Sequence, residues 1–128
     1  MSRVKMPAET VQAISQRSKG RCELDGLSCP TGHHLHHRQP RGMGSSTADP
    51  HAPENILSLH PNCHLVRIER LREEAYFYGW LVRRGTSPAT IPVFTHQGWV
   101  RLSGDGYLPC TAAESELLRQ HGADAQAG

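Results

Sequence analysis

The sequence predicts an α+β fold, in which short strands and helices surround a small core held by a metal staple. Three observations lead there. Apolar residues recur at helical spacing in two stretches. Short apolar runs bounded by turn residues lie between and after those stretches. Two Cys/His-containing pairs stand far apart along the chain. With 128 residues, 37% hydrophobic and 5% aromatic, the chain can form one domain but only a thin core. Small domains bury a lower fraction of their surface, so a thin core calls for added cross-linking.

The elements follow in order. Residues 1–5 read as a loose basic end. Residues 7–18 read as a helix, with Pro7 at a first helical position, Val11 and Ile14 on one face, and Gly20 to stop it. Residues 21–32 form a turn-rich segment that carries Cys22 and Cys29. Residues 35–38 make a short strand, 39–54 a loop rich in Pro, Gly and Ser, and 56–59 a second strand. A longer helix starts near Pro61 or Asn62. Leu65, Ile68, Leu71, Ala75 and Tyr78 give it one apolar stripe, Arg70 and Glu74 can pair across a turn, and Gly79 ends it. Residues 91–94 and 99–102 form a hairpin turning at 95–98, with Trp80 and Trp99 packed beneath. Thr111 and Glu114 fit a capping box that opens a short helix to about Gln120. The small polar residues 122–128 are expected to be disordered. The expected units are an N-terminal helix (1–20), a core (21–79), a C-terminal β extension (80–110), and a final helix with its tail (111–128).

Net charge is only +2, but its distribution is uneven. Residues 26–48 hold no acidic side chain and carry Arg38 and Arg41 among four histidines. Residues 75–104 contain no acidic residue after Ala75 and carry Arg83, Arg84 and Arg101. Basic patches of this kind suit a polyanion, although surface arginines also serve solubility alone. No stretch is long and apolar enough to span a bilayer, and the first residues lack the apolar centre of a signal peptide. The expected location is the cytoplasm, where clustered Cys and His read as metal ligands rather than disulfides.

Cys22 and Cys29, with His60 and Cys63, offer four ligands from two distant segments, a set suited to a structural zinc. The competing reading is free thiols in a small core. A second cluster, His33, His34, His36 and His37, places four imidazoles in five positions. On a strand, His36 and His37 point to opposite faces, so one can bind a metal while its neighbour takes a proton from water. Cys110 reads as a free thiol, and His51, His96 and His121 as surface residues.

The string His36-His37-Arg38, then Asn55, then Leu59-His60-Pro61-Asn62-Cys63-His64, resembles the HNH (His-Me finger) endonuclease motif. Its three letters fall on His37, Asn55 and His64, and 37–44 looks like phage and actinobacterial members. The likeness covers Arg21 to about Ile68. It implies a zinc-stapled ββα-metal core that hydrolyses DNA phosphodiester bonds. His37 would be the general base, His36 and His64 ligands of a catalytic divalent ion (Mg2+, with Mn2+ or Ni2+ as alternatives). Asn55 would hold the loop and orient the His37 ring. Arg38, Arg41 or Arg67 would bind flanking phosphates. It also implies a phage origin and a packaging terminase as partner.

Two positions depart from that pattern. Asp25 stands where the first Cys pair closes in many members, so Cys29 must substitute, and His60 stands where a cysteine is common. His33 or His34 is then a possible fourth ligand. Ile68 occupies the place of a further histidine seen in some members. The alternative functions are a catalytically inactive zinc-stapled nucleic-acid-binding module and a subunit that only docks a larger complex.

Overall fold

The computed structural model describes residues 6–31, 34–39 and 50–127, with side chains throughout except in 26–31, 63–65 and 121–127. The class is α+β, with helices set among three small antiparallel sheets. Helix α1 spans Ala8–Ser18 and stops at Lys19 and Gly20, both with positive φ. Strands β1 (Arg21–Cys22) and β2 (Gly26–Thr31) pair as a bulged hairpin where a turn-rich segment was expected. Strands β3 (His34–His37) and β4 (Ile56–Leu59) form the second sheet; of the expected loop at 39–54, residues 40–49 lie outside the described residues, and Pro53–Asn55 forms a 3-10 turn leading into β4.

After β4 the backbone enters a π-helical stretch, Cys63–Glu69, and then α2, Arg72–Phe77. One continuous helix was expected here. A ladder of i→i+5 bonds takes more residues per turn than an α-helix, and Leu71 leaves helical geometry altogether at φ −120°, ψ 58°. The stripe therefore divides: Ile68 and Ala75 are buried, while Leu71 is 44% exposed. Nearby ion pairs join Glu69 to Arg72 and Glu73 to Arg83. Gly79 ends the segment at φ +76°, and a Cβ there would lie 2.0 Å from the Pro92 carbonyl oxygen. Only glycine fits both the turn and the close approach.

Strands β5 (Val93–Thr95), β6 (Gly98–Ser103) and β7 (Gly106–Pro109) make the third sheet in that order. The β5–β6 hairpin turns where the sequence places it, and β7 is an additional strand. Tyr78 stacks on Trp80 and on Trp99 beside Phe94, and the Trp80 indole N–H donates to the Phe94 carbonyl at 2.8 Å. Helix α3, Ala112–Ala127, opens with the expected capping box and runs on through the segment expected to be disordered.

One apolar cluster joins Cys22, Leu24, Leu57, Leu59, Ile68 and Ala75 to Trp80, Val93, Val100 and Leu102. It crosses Gly79, the expected boundary between core and extension. Beside it lies a buried charged network. Arg17 pairs with Glu23 through Nε (2.7 Å) and Nη2 (2.9 Å), with both side chains fully buried. Arg17 also donates to the carbonyls of Pro53, Ile56 and Gly104. Glu23 accepts from the Ser58 N–H and the Tyr107 hydroxyl, each at 2.7 Å. Burial, with the Glu23 carboxylate behind it, holds the Tyr107 hydroxyl well above its ordinary pKa. Among the described residues no helix is long and apolar enough to cross a membrane.

Candidate functional site

The β3–β4 hairpin carries two of the expected site residues, His36 and His37. Its register sets His36 opposite Leu57 and His37 opposite Ile56. Strand alternation then sends the two imidazoles to different surroundings. His36 is buried, and its Nε2 lies 2.8 Å from the Trp80 carbonyl oxygen. A carbonyl only accepts, so Nε2 carries the proton and Nδ1 carries the lone pair of the neutral ring. A metal-ligating histidine characteristically gives its other N–H to such an acceptor.

His37 is half-buried, and its Nε2 lies 3.3 Å from Nδ1 of His51. The two ring centroids are 5.3 Å apart at an interplanar angle of 61°. His51 was expected at the surface, yet it is 7% exposed. Two contacts hold its backbone, one of them from a distant segment. The Thr10 hydroxyl of α1 donates to the His51 carbonyl at 2.8 Å, and the Asn55 amide donates to the neighbouring Pro50 carbonyl at 2.9 Å. The sequence offers little signal for it, since a lone histidine between two prolines of a polar loop follows no periodic pattern.

Asn55 is fully buried. Its Oδ1 accepts the Gln39 N–H at 2.8 Å, and its Nδ2 donates to the Gln39 and Pro50 carbonyls at 3.1 and 2.9 Å. These bonds clasp residues 39 and 50 together, the part of the expected loop-holding role that falls on described residues. They do not orient the His37 ring directly, because every one of them goes to backbone. Gln39, which sequence reasoning passed over, is buried as well and donates from Nε2 to the Arg83 and Thr86 carbonyls, each at 2.8 Å.

The expectation that Arg38 binds a phosphate is overturned. Its side chain is 0% exposed. Nε donates to the Gly79 carbonyl at 2.8 Å, Nη1 to Glu54 and Pro88 at 2.8 and 3.0 Å, and Nη2 to Ile91 at 2.8 Å. Burial pushes its pKa down to about 9, and the four carbonyls hold the guanidinium charged at neutral pH. Arg67 keeps a 41% exposed side chain, pairs with Asp25 at 2.9 Å and lies 5.9 Å from the centre of the Trp80 ring. An exposed pair of this kind is weak, so Arg67 can still turn to another anion. Arg41 lies outside the described residues.

Of the expected zinc ligands, Cys22 is fully buried and its thiol is in no disulfide. Cys29 lies on the partner strand of the same hairpin, β2. The Glu23 N–H bonds to the Ser58 carbonyl at 2.8 Å, which sets β1 beside the end of β4, two residues before His60. His60 Nδ1 accepts the Asn62 N–H at 3.1 Å. That bond leaves the ring proton on Nε2, a tautomer that offers zinc no lone pair, so ligation would require His60 to give up Asn62. The side chains of Cys29, Cys63 and His64 lie outside the described residues, as does His33. Among the described residues no three His, Cys, Asp or Glu side chains converge in a group that could hold a metal ion. Cys110 is a free thiol and His96 is exposed, as expected.

Comparisons with protein families, with characterised proteins and with solved structures return no match for this chain.

Proposed function

We propose that this chain is a metal-dependent HNH-type endonuclease that hydrolyses DNA phosphodiester bonds. The observation that carries the reading is the His36 ring. Its Nε2 lies against the Trp80 carbonyl, which leaves Nδ1 as the nitrogen that would ligate a metal, and His37 stands next to it on a strand beside the Asn55 clasp between residues 39 and 50. His36 and His64 would hold a divalent ion such as Mg2+, Mn2+ or Ni2+. When bound, the cation supplies positive charge opposite the oxyanion that builds up at phosphorus and at the leaving 3′ oxygen. His37 takes the proton from the attacking water, whose oxygen bonds phosphorus as the P–O3′ bond breaks. Arg67 binds a flanking phosphate once it turns from Asp25. A structural zinc on Cys22, Cys29, Cys63 and His60 belongs to the same reading, with His60 exchanging the Asn62 N–H for the metal.

The test is cleavage of supercoiled plasmid by purified protein with Mg2+, Mn2+ or Ni2+, with and without chelator, beside His37→Ala. We expect metal-dependent cutting that falls by about 100-fold or more in the variant, and zinc retained by the wild-type preparation. Equal cutting by both proteins would refute the assignment of His37. Metal-independent DNA binding without any cutting would favour the inactive binding module instead.

A further inference from the structure

We infer that His51 is a positioning residue for His37, an inference that rests on the nuclease reading above. A general base needs its lone pair on the nitrogen that faces water. Nε2 of His37 is the nitrogen turned to His51, at 3.3 Å from that residue's Nδ1. If Nε2 carries the proton and donates it to His51 Nδ1, the lone pair of the neutral His37 ring sits on Nδ1, and that atom accepts the proton from water. The opposite polarity would put a proton on Nδ1 and disable the base. His51 in turn carries its own proton on Nε2, so one tautomer of each ring satisfies the contact.

The placement of His51 is built from several directions. Its backbone carbonyl is held by the Thr10 hydroxyl from a helix forty-one positions earlier, and Asn55 fixes the carbonyl of the preceding Pro50. The ring is 7% exposed. Asn55 thus reaches His37 through His51. Its amide holds the segment that carries the second imidazole, which accounts for an asparagine whose bonds all go to backbone. The edge-on packing of the two rings further limits rotation of His37.

The experiment compares wild type, His51→Leu and His51→Asn on plasmid DNA with Mn2+, alongside 15N spectra of the histidine rings. Leucine keeps bulk and removes the acceptor, whereas asparagine sets its amide oxygen near the place of the lost Nδ1. We expect His51→Leu to lower kcat by about 10- to 100-fold, the size of loss seen when a partner that fixes a metal-ligating histidine is removed, with KM for DNA little changed. His51→Asn should return most of the lost rate. The spectra should show the His37 proton on Nε2 in wild type and a mixture of tautomers in His51→Leu. Undiminished kcat in a folded His51→Leu protein, or a wild-type His37 protonated on Nδ1, would overturn the inference. Should wild type fail to cut with any of the metals, the nuclease reading fails, and the ring spectra alone then decide whether His51 sets the tautomer.

Discussion

Arg38 follows the His37 imidazole by one position and lies in different surroundings. The imidazole is half-buried beside His51, and the guanidinium closes the interior by bonding four carbonyls from three separate stretches of chain. The sequence placed His36 and His37 on a short strand and Asn55 just before the next, because order and spacing are local facts. It could not make Arg38 legible, because its inward direction depends on carbonyls at 54, 79, 88 and 91. His51 was hidden in part for the same reason, since α1, forty-one positions earlier, holds its backbone through Thr10. Replacing Arg38 by methionine leaves those carbonyls without donors in a dry interior. We expect a loss of about 3 kcal/mol or more, read as a lower urea midpoint. Lysine should rescue only in part, since an ammonium has three donors for four acceptors. A midpoint unchanged in Arg38→Met would show that water satisfies the carbonyls.

Among the elements, those specified by neighbours in sequence were readable. The β4 strand matches its apolar run, the β5–β6 turn falls where expected, and Thr111 and Glu114 cap α3. Strands β1, β2 and β7 were not readable. They are short or rich in Gly and Pro, and their pairing depends on a partner strand rather than on alternation. The helix after β4 was read as continuous because its apolar stripe is nearly regular, and the break at Leu71 leaves no Gly or Pro as a sign. The capping box makes a pH prediction. Hydrogen bonds from the Thr111 backbone and then its hydroxyl hold the Glu114 carboxyl below its ordinary value of 4.5. A carboxylate lowered in the folded state stabilises above its unfolded value, and that stabilisation is lost as pH falls through the folded one. The first turn of α3 should therefore lose amide protection, corrected for intrinsic exchange, as pH drops below 4.5. Glu114→Gln should flatten that dependence, and equal profiles in both proteins would contradict it.

At the scale of the molecule, the Arg17–Glu23–Tyr107 network links α1, β1, β4 and β7 through side chains buried beside the apolar cluster. Truncating one partner strands the other charge in a low-dielectric interior. Arg17→Met should cost about 3–5 kcal/mol, measured by urea unfolding. The double variant Arg17→Met/Glu23→Leu should be less damaged than the single one, since no lone carboxylate remains. A double variant weaker than Arg17→Met would mean that the Ser58 and Tyr107 donors matter more than the ion pair. The expected division at Gly79 came from a turn residue, a local signal, while the apolar cluster that spans it is assembled from distant strands. That continuity bears on any attempt to transplant the histidine-bearing hairpin into another scaffold. A cassette cut from 21–79 would export a buried cation stripped of its carbonyls at Pro88 and Ile91, together with half an oily interior, so a working graft must carry the chain onward through β6.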